Sequence, residues 1–142
     1  MATFLKSIGN AASPLPINWM LERPEALDGT AFPKTPRSVR PGDFLIFYAA
    51  GRRCVVAIME VVDNPKRMGH PSAWSEESRA RWPWYVALRP HLLVPADDKA
   101  PTLEMVGFNP LRVRRQSHVR LTDEEYRRMV DTLASTATRS LA

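Results

Sequence analysis

The chain holds a single cysteine, Cys54. An internal disulfide needs two thiols and a cysteine-rich zinc site needs more, so both are excluded. Cys54 stands inside an apolar, strand-like run. There a thiol serves as a small buried hydrophobe, the alternative being a reactive group. Long hydrophobic runs are missing as well. No segment approaches the roughly 20 apolar residues of a membrane-spanning helix. The N-terminus lacks the basic start and extended apolar stretch of a secretory signal. No membrane association and a cytoplasmic location are the expectations. Catalytic signatures are equally sparse: there is no G-x-S-x-G, no P-loop and no dinucleotide glycine fingerprint. His70, His91 and His118 lie far apart, and none has a second His or Cys at metal-ligand spacing. No metal and no cofactor are expected. Internal repeats and heptads are absent.

What remains is one domain's worth of ordinary globular sequence. The 142 residues are 44% hydrophobic and 25% charged, enough to bury a core without staples. Twenty basic residues against 15 acidic give a net charge of +5. That balance permits a phosphate or nucleic-acid partner without requiring one.

The strongest local pattern runs from Pro41 to Val62. Pro41-Gly42-Asp43 is a turn signature. Phe44 to Ala50 and Cys54 to Val62 are two β-rich runs around Gly51-Arg52-Arg53, which reads as a hairpin. Neither run alternates cleanly, so both faces are expected to be buried in a larger sheet or barrel. Ala2 to Ser7 is a short first strand. Pro24 opens a short helix that Gly29 ends, and Thr30 to Arg40 reads as an exposed connector. Asp63-Asn64-Pro65 stops the hairpin. A long polar loop, Lys66 to Arg81, includes a helical turn near Ser75 to Ala80. Trp84 to Leu88 is a strand, with His91 to Val94 extending or repeating it after Pro90. Leu103 to Val106 and Val113 to Val119 are further strand candidates.

The clearest helix begins at Thr122, an N-cap completed three residues later by Glu125. Tyr126, Met129, Val130 and Leu133 recur on one stripe. The Ser, Thr and Ala content beyond Leu133 predicts fraying, so a domain over 1–135 is expected, followed by a mobile tail over 136–142. Strands that do not alternate with long helices argue against a doubly wound parallel sheet. The expected fold class is α+β: a β-pseudobarrel of five or six mainly antiparallel strands, with short helices and an amphipathic C-terminal helix.

Aromatic residues are the most suggestive candidates for chemistry. Trp19 and Trp74 fall in segments read as loop, and Trp82 precedes a strand. Exposed indoles either pack over an open barrel end or stack on a flat ligand, at about 1–3 kcal/mol per stacked base. Lys6, Ser7 and Asn10 cluster after the first strand, and Asn18 adjoins Trp19. Their amide and hydroxyl groups either read a base edge or satisfy turn backbone. Arg112, Arg114, Arg115 and Arg120, with His118, form the densest basic run. It is either a solvated face or a phosphate contact, which Lys6 would join. Glu60 lies within an apolar strand, pointing to the sheet rim or pairing with an arginine. Together with Lys6 and His118 it is the only candidate set for an enzyme.

Three segments carry a family resemblance. They are Pro41-Gly42-Asp43-Phe44-Leu45-Ile46-Phe47-Tyr48 leading into Ala57-Ile58-Met59-Glu60-Val61-Val62, then Arg81-Trp82-Pro83-Trp84-Tyr85-Val86-Ala87-Leu88, then Arg115-Gln116-Ser117-His118-Val119-Arg120-Leu121. Their order and spacing resemble an EVE domain, of the PUA-like superfamily that includes the YTH readers. Phe4-Leu5-Lys6-Ser7-Ile8-Gly9-Asn10 is similar to the first strand of YTH domains. The resemblance implies a pseudobarrel whose pocket receives a flipped-out modified base in an aromatic cage. Trp19 would be one cage wall and Trp74 or Trp82 the other, above a hydrogen-bonding floor of Ser7 and Asn10. The implied partner is DNA or RNA carrying a methylated base. RNA processing, nucleic-acid modification, or binding of a free nucleotide or other small molecule are the alternatives.

Overall fold

A computed structural model describes residues 1–8, 19–22, 24–51, 53–72, 74–94, 99–113 and 117–141. Seven strands form one curled sheet: β1 (Thr3–Ile8), β2 (Gly29–Phe32), β3 (Phe44–Ala49), β4 (Cys54–Val61), β5 (Lys66–Arg67), β6 (Trp84–Leu93) and β7 (His118–Arg120). Among the described residues three α-helices accompany them: α1 (Trp19–Glu22), α2 (Glu76–Arg81) and α3 (Asp123–Leu141). The strand order is β2-β6-β4-β3-β1-β7, with β5 also pairing β6. All pairs are antiparallel except β1 with β3. No helix among the described residues is long and apolar enough to cross a membrane.

The predicted hairpin is β3–β4, and both its faces are buried. Alternation sends Leu45 and Phe47 into an inner core and Ile46 and Tyr48 into an outer core, on the side of α3. Val56 and Ala57 both face the first core. The pairing register shifts between Phe47 and Tyr48, and the extra residue of that bulge breaks the alternation. Pro90 does not divide the third strand in two. It sits where the β4–β6 register shifts between Ile58 and Met59, a bulge that tolerates a residue without an N–H.

Four sequence expectations change. The stretch after Gly29 is not all connector, because Gly29–Phe32 pairs with Trp84 to Ala87 as an edge strand. Lys66–Arg67 adds a two-residue strand on the other side of β6. Leu103 to Val106 forms turns, with one isolated bridge between Cys54 and Thr102 nearby. Before β7, Pro110–Val113 is a 3₁₀ turn. In the first of these two segments Leu103 and Val106 are buried in the core without strand pairing, whereas in the second Leu111 is exposed and Val113 is only partly buried.

The α3 capping box is formed as expected. Thr122 Oγ1 accepts from the Glu125 N–H at 3.1 Å, and Glu125 Oε1 accepts from the Thr122 N–H at 2.9 Å. Met129 and Leu133 are fully buried on the outer core. Beyond Leu133 the backbone stays helical to Leu141. Thr132 and Thr136 hydroxyls donate to the carbonyls one turn back, of Arg128 and Thr132, which lets both fit within a helix.

The two ends of the sheet, β2 and β7, come together without strand pairing. The Phe32 ring meets the His118 ring edge-on, with centroids 5.0 Å apart. The curled sheet is therefore closed at this seam by side chains, not by a hydrogen-bond ladder.

Candidate functional site

The seam is where chemistry-bearing residues collect. Alternation along β1 turns Phe4 inward and Leu5 outward, so Lys6 shares the inner face with Phe4 and Ile8. Lys6 is only 3% exposed. Its ammonium donates to the Ser7 carbonyl at 2.7 Å. It lies 5.0 Å from the Phe32 ring centroid and 5.9 Å from that of Trp82. Cation–π attraction offsets part of its lost hydration. No carboxylate among the described residues pairs with it. Burial pulls its pKa down to about 8.

His118 stands opposite Lys6 in the β1–β7 register. Its ring also meets Phe4 at 5.7 Å, and its Nδ1 shares a 3.2 Å hydrogen bond with Ser117 Oγ. Burial, reinforced by the Lys6 charge, holds the imidazole below its usual pKa. The shift disfavours a second positive charge beside the ammonium.

Trp82 is held from behind. Ser75 caps α2 by accepting from the Ser78 N–H, and the Trp82 N–H donates to the Ser78 carbonyl at 2.8 Å. The Trp82 carbonyl accepts from His70 Nε2 at 2.7 Å. A carbonyl only accepts, so His70 Nε2 is the donor here, and its buried Nδ1 has no partner among the described residues. The His70 ring packs on Trp74 and Tyr85, with centroids 5.0 and 5.3 Å away. Tyr85 lies across Gly29, where a Cβ would come within 2.1 Å of the phenol oxygen; only glycine fits beneath that ring.

These contacts separate the tryptophans. Trp82 is half-buried and faces Lys6, whereas Trp74 belongs to the layer that buttresses Trp82. Trp84, also half-buried, pairs with Phe32 in register and packs on the inner core. Trp19 is 3% exposed within that core, and its indole N–H has no partner among the described residues. Leaving such a donor buried and unpaired costs about 1–3 kcal/mol.

Other candidates are dispersed. Ser7 takes the face opposite Lys6 by alternation, and its backbone N–H donates to the Ser117 carbonyl. Arg112 lies 4.5 Å from the Phe108 ring and is ion-paired with Glu125 of α3, on the outer side. Glu60 pairs with Arg89 and His91, and these contacts hold its carboxyl below the usual range. It is level with Phe44 and Thr3 rather than Lys6, so it does not join Lys6 and His118. Asn10, Asn18, Arg114 and Arg115 lie outside the described residues.

Sequence reasoning missed Phe32, hidden in a segment read as connector. It also placed Lys6 among phosphate contacts. The inward position was detectable, because Phe4, Lys6 and Ile8 are the alternate residues of one strand.

The EVE domain family model matches residues 30–132. No curated protein matches the sequence. Among solved structures, the crystal structure of the Mmi1 YTH domain aligns with a TM-score of 0.65 at 10% identity, covering 98% of this chain and 99% of that one. The same domain in complex with RNA aligns at 0.66 and 9% identity, over 98% of this chain and 81% of that one. A protein of Agrobacterium tumefaciens aligns at 0.56 and 20% identity, over 96% and 93%. At these identities the likeness is one of fold: a curled, PUA-like α+β half-barrel.

Proposed function

Because the chain belongs to the EVE domain family, we propose that it is a non-catalytic nucleic-acid-binding module that receives one base, carrying a modification such as a methyl group, at the β2–β7 seam. The observation that carries this reading is a buried ammonium whose one hydrogen-bond acceptor among the described residues is the Ser7 carbonyl, beside the half-buried rings of Trp82 and His118. Among the described residues the Lys6 ammonium has no carboxylate partner and the Trp19 indole N–H has no partner at all, while Trp82 and His118 are half-buried. A planar heterocycle would stack on Trp82 and supply acceptors to the donors beneath. The RNA complex formed by the structurally similar Mmi1 YTH domain supports the choice of nucleic acid over a free metabolite.

A methyl group matters here because an aromatic wall buries apolar area that the unmodified base lacks, at about 1 kcal/mol per methyl. Fluorescence anisotropy with single-stranded oligonucleotides tests the reading, each methylated base set against its unmodified twin. One methylated base should bind about fivefold more tightly. Trp82→Ala should remove about 1–3 kcal/mol of affinity together with most of the preference. Equal affinity for every twin, unaltered by Trp82→Ala, would sink the reading.

A further inference from the structure

We infer that Lys6 reads the base itself: its ammonium donates to a keto oxygen of the inserted nucleobase, so the site selects keto bases over their amino counterparts. This rests on the nucleic-acid reading above and adds the class of base.

An ammonium has three N–H donors and no acceptor. One donor of Lys6 is spent on the Ser7 carbonyl. Phe32 and Trp82 offer their π faces to the charge, but not a conventional acceptor. Asp43, a buried carboxylate, accepts instead from the backbone N–H groups of Ala2 and Arg40. The second orphan in this core, the Trp19 indole, is also donor-only. A base bringing an exocyclic amino group to Lys6 sets donor against donor. A base bringing a carbonyl supplies what is missing, as when lysine reads the O6 and N7 acceptors of guanine.

Position separates base from phosphate as the target. At 3% exposure and 5.0 and 5.9 Å from the Phe32 and Trp82 ring centroids, the ammonium would be reached only by a thin planar edge inserted beside the half-buried Trp82. A phosphodiester reaching the same depth would have to give up the hydration of its own charge.

The experiment uses the intact chain and oligonucleotides of one sequence with a single central base. Two matched pairs differ only in the keto-for-amino exchange and its attendant ring proton: 5-methyluracil against 5-methylcytosine, and hypoxanthine against adenine. The keto member of at least one pair should bind about tenfold more tightly, and the pair that responds tells a pyrimidine site from a purine site. Lys6→Met should narrow that ratio to about twofold or less. In parallel, the wild-type Lys6 Cε resonance is followed through a pH titration. A bound keto base, by accepting from the charged form, should raise the midpoint above about 8, and the amino partner should not. His118, the titratable group facing Lys6 from β7, titrates at lower pH and does not overlap that midpoint.

A wild-type protein that binds both members of each pair equally overturns the inference and leaves the nucleic-acid reading standing. So does a ratio that survives Lys6→Met, or a uniform loss of affinity with a shallower salt dependence, which is the mark of a phosphate contact. Failure to bind any oligonucleotide overturns the nucleic-acid reading, and this inference with it.

Discussion

The two faces of the central sheet are built from alternate residues of the same strands, yet they differ in kind. On the outer face Leu5, Ile46, Val55 and Ile58 meet Met129 and Leu133 of α3. Every one of those side chains is apolar, and the charges of α3 stay at the surface. Arg128 there pairs with Glu124, and Thr122 with Glu125. On the inner face Phe4, Phe32, Phe47 and Met59 form an equally tight core. Among the described residues that face also holds an ammonium bonded to a carbonyl but without a counter-ion, and an indole N–H without an acceptor. Where stability alone is at stake, burial is apolar and polar groups are paired. A face that holds such donors carries a cost that apolar packing does not, and that cost is the ground for the ligand site proposed there.

Three substitutions sharpen this contrast. The largest effect belongs to the outer face. Leu133→Ala should lower the unfolding free energy by about 2–5 kcal/mol, read by urea denaturation. A loss under about 1 kcal/mol would mean that α3 does not seal that face.

On the inner face the direction reverses. The native Lys6 pKa, about 8, lies below its ordinary value of 10.5. Between those values the unfolded chain holds a proton that the native chain has shed, so the contribution of Lys6 to stability rises with pH across that window. Below about 8 the whole penalty is present. Lys6→Met should therefore stabilise the fold by about 3 kcal/mol at pH 7. The gain should shrink steadily as pH approaches 10.5. Denaturation at pH 7 and pH 10 checks both statements, and destabilisation by Lys6→Met at pH 7 would show the charge to be compensated after all. Thr122→Ala should have the smallest effect, about 1 kcal/mol, visible as a modest fall in the denaturation midpoint.

Much of the fold was legible because its signals are local. The β3–β4 hairpin shows as two β-rich runs around a glycine-containing loop. The start of α3 shows in Thr122 and Glu125, whose reciprocal bonds span one turn. Burial of both hairpin faces follows from runs that fail to alternate. The losses were also physical. Gly29–Phe32 is short and flanked by turn residues, and only β6 makes it a strand. Pro90 marked a break that a bulge accommodates. Of the site, the tryptophans and Lys6 were identifiable as residue types. Their division into a facing ring, Trp82, and a buttress, Trp74, was not, since it depends on His70 and Tyr85 filling the space between strand and loop.

By itself, then, the sequence determined the periodicities: the β3–β4 hairpin, where α3 is capped, and that Lys6 shares a face with Phe4. Those properties follow from backbone geometry over a few residues. The tertiary structure alone decided that this face is the inner one, and that β2 and β7 curl together until Phe32 meets His118. It also brought Trp82 over the ammonium. Such pairings join residues remote in the chain, and they arise only when burying two apolar faces at once selects a single strand order.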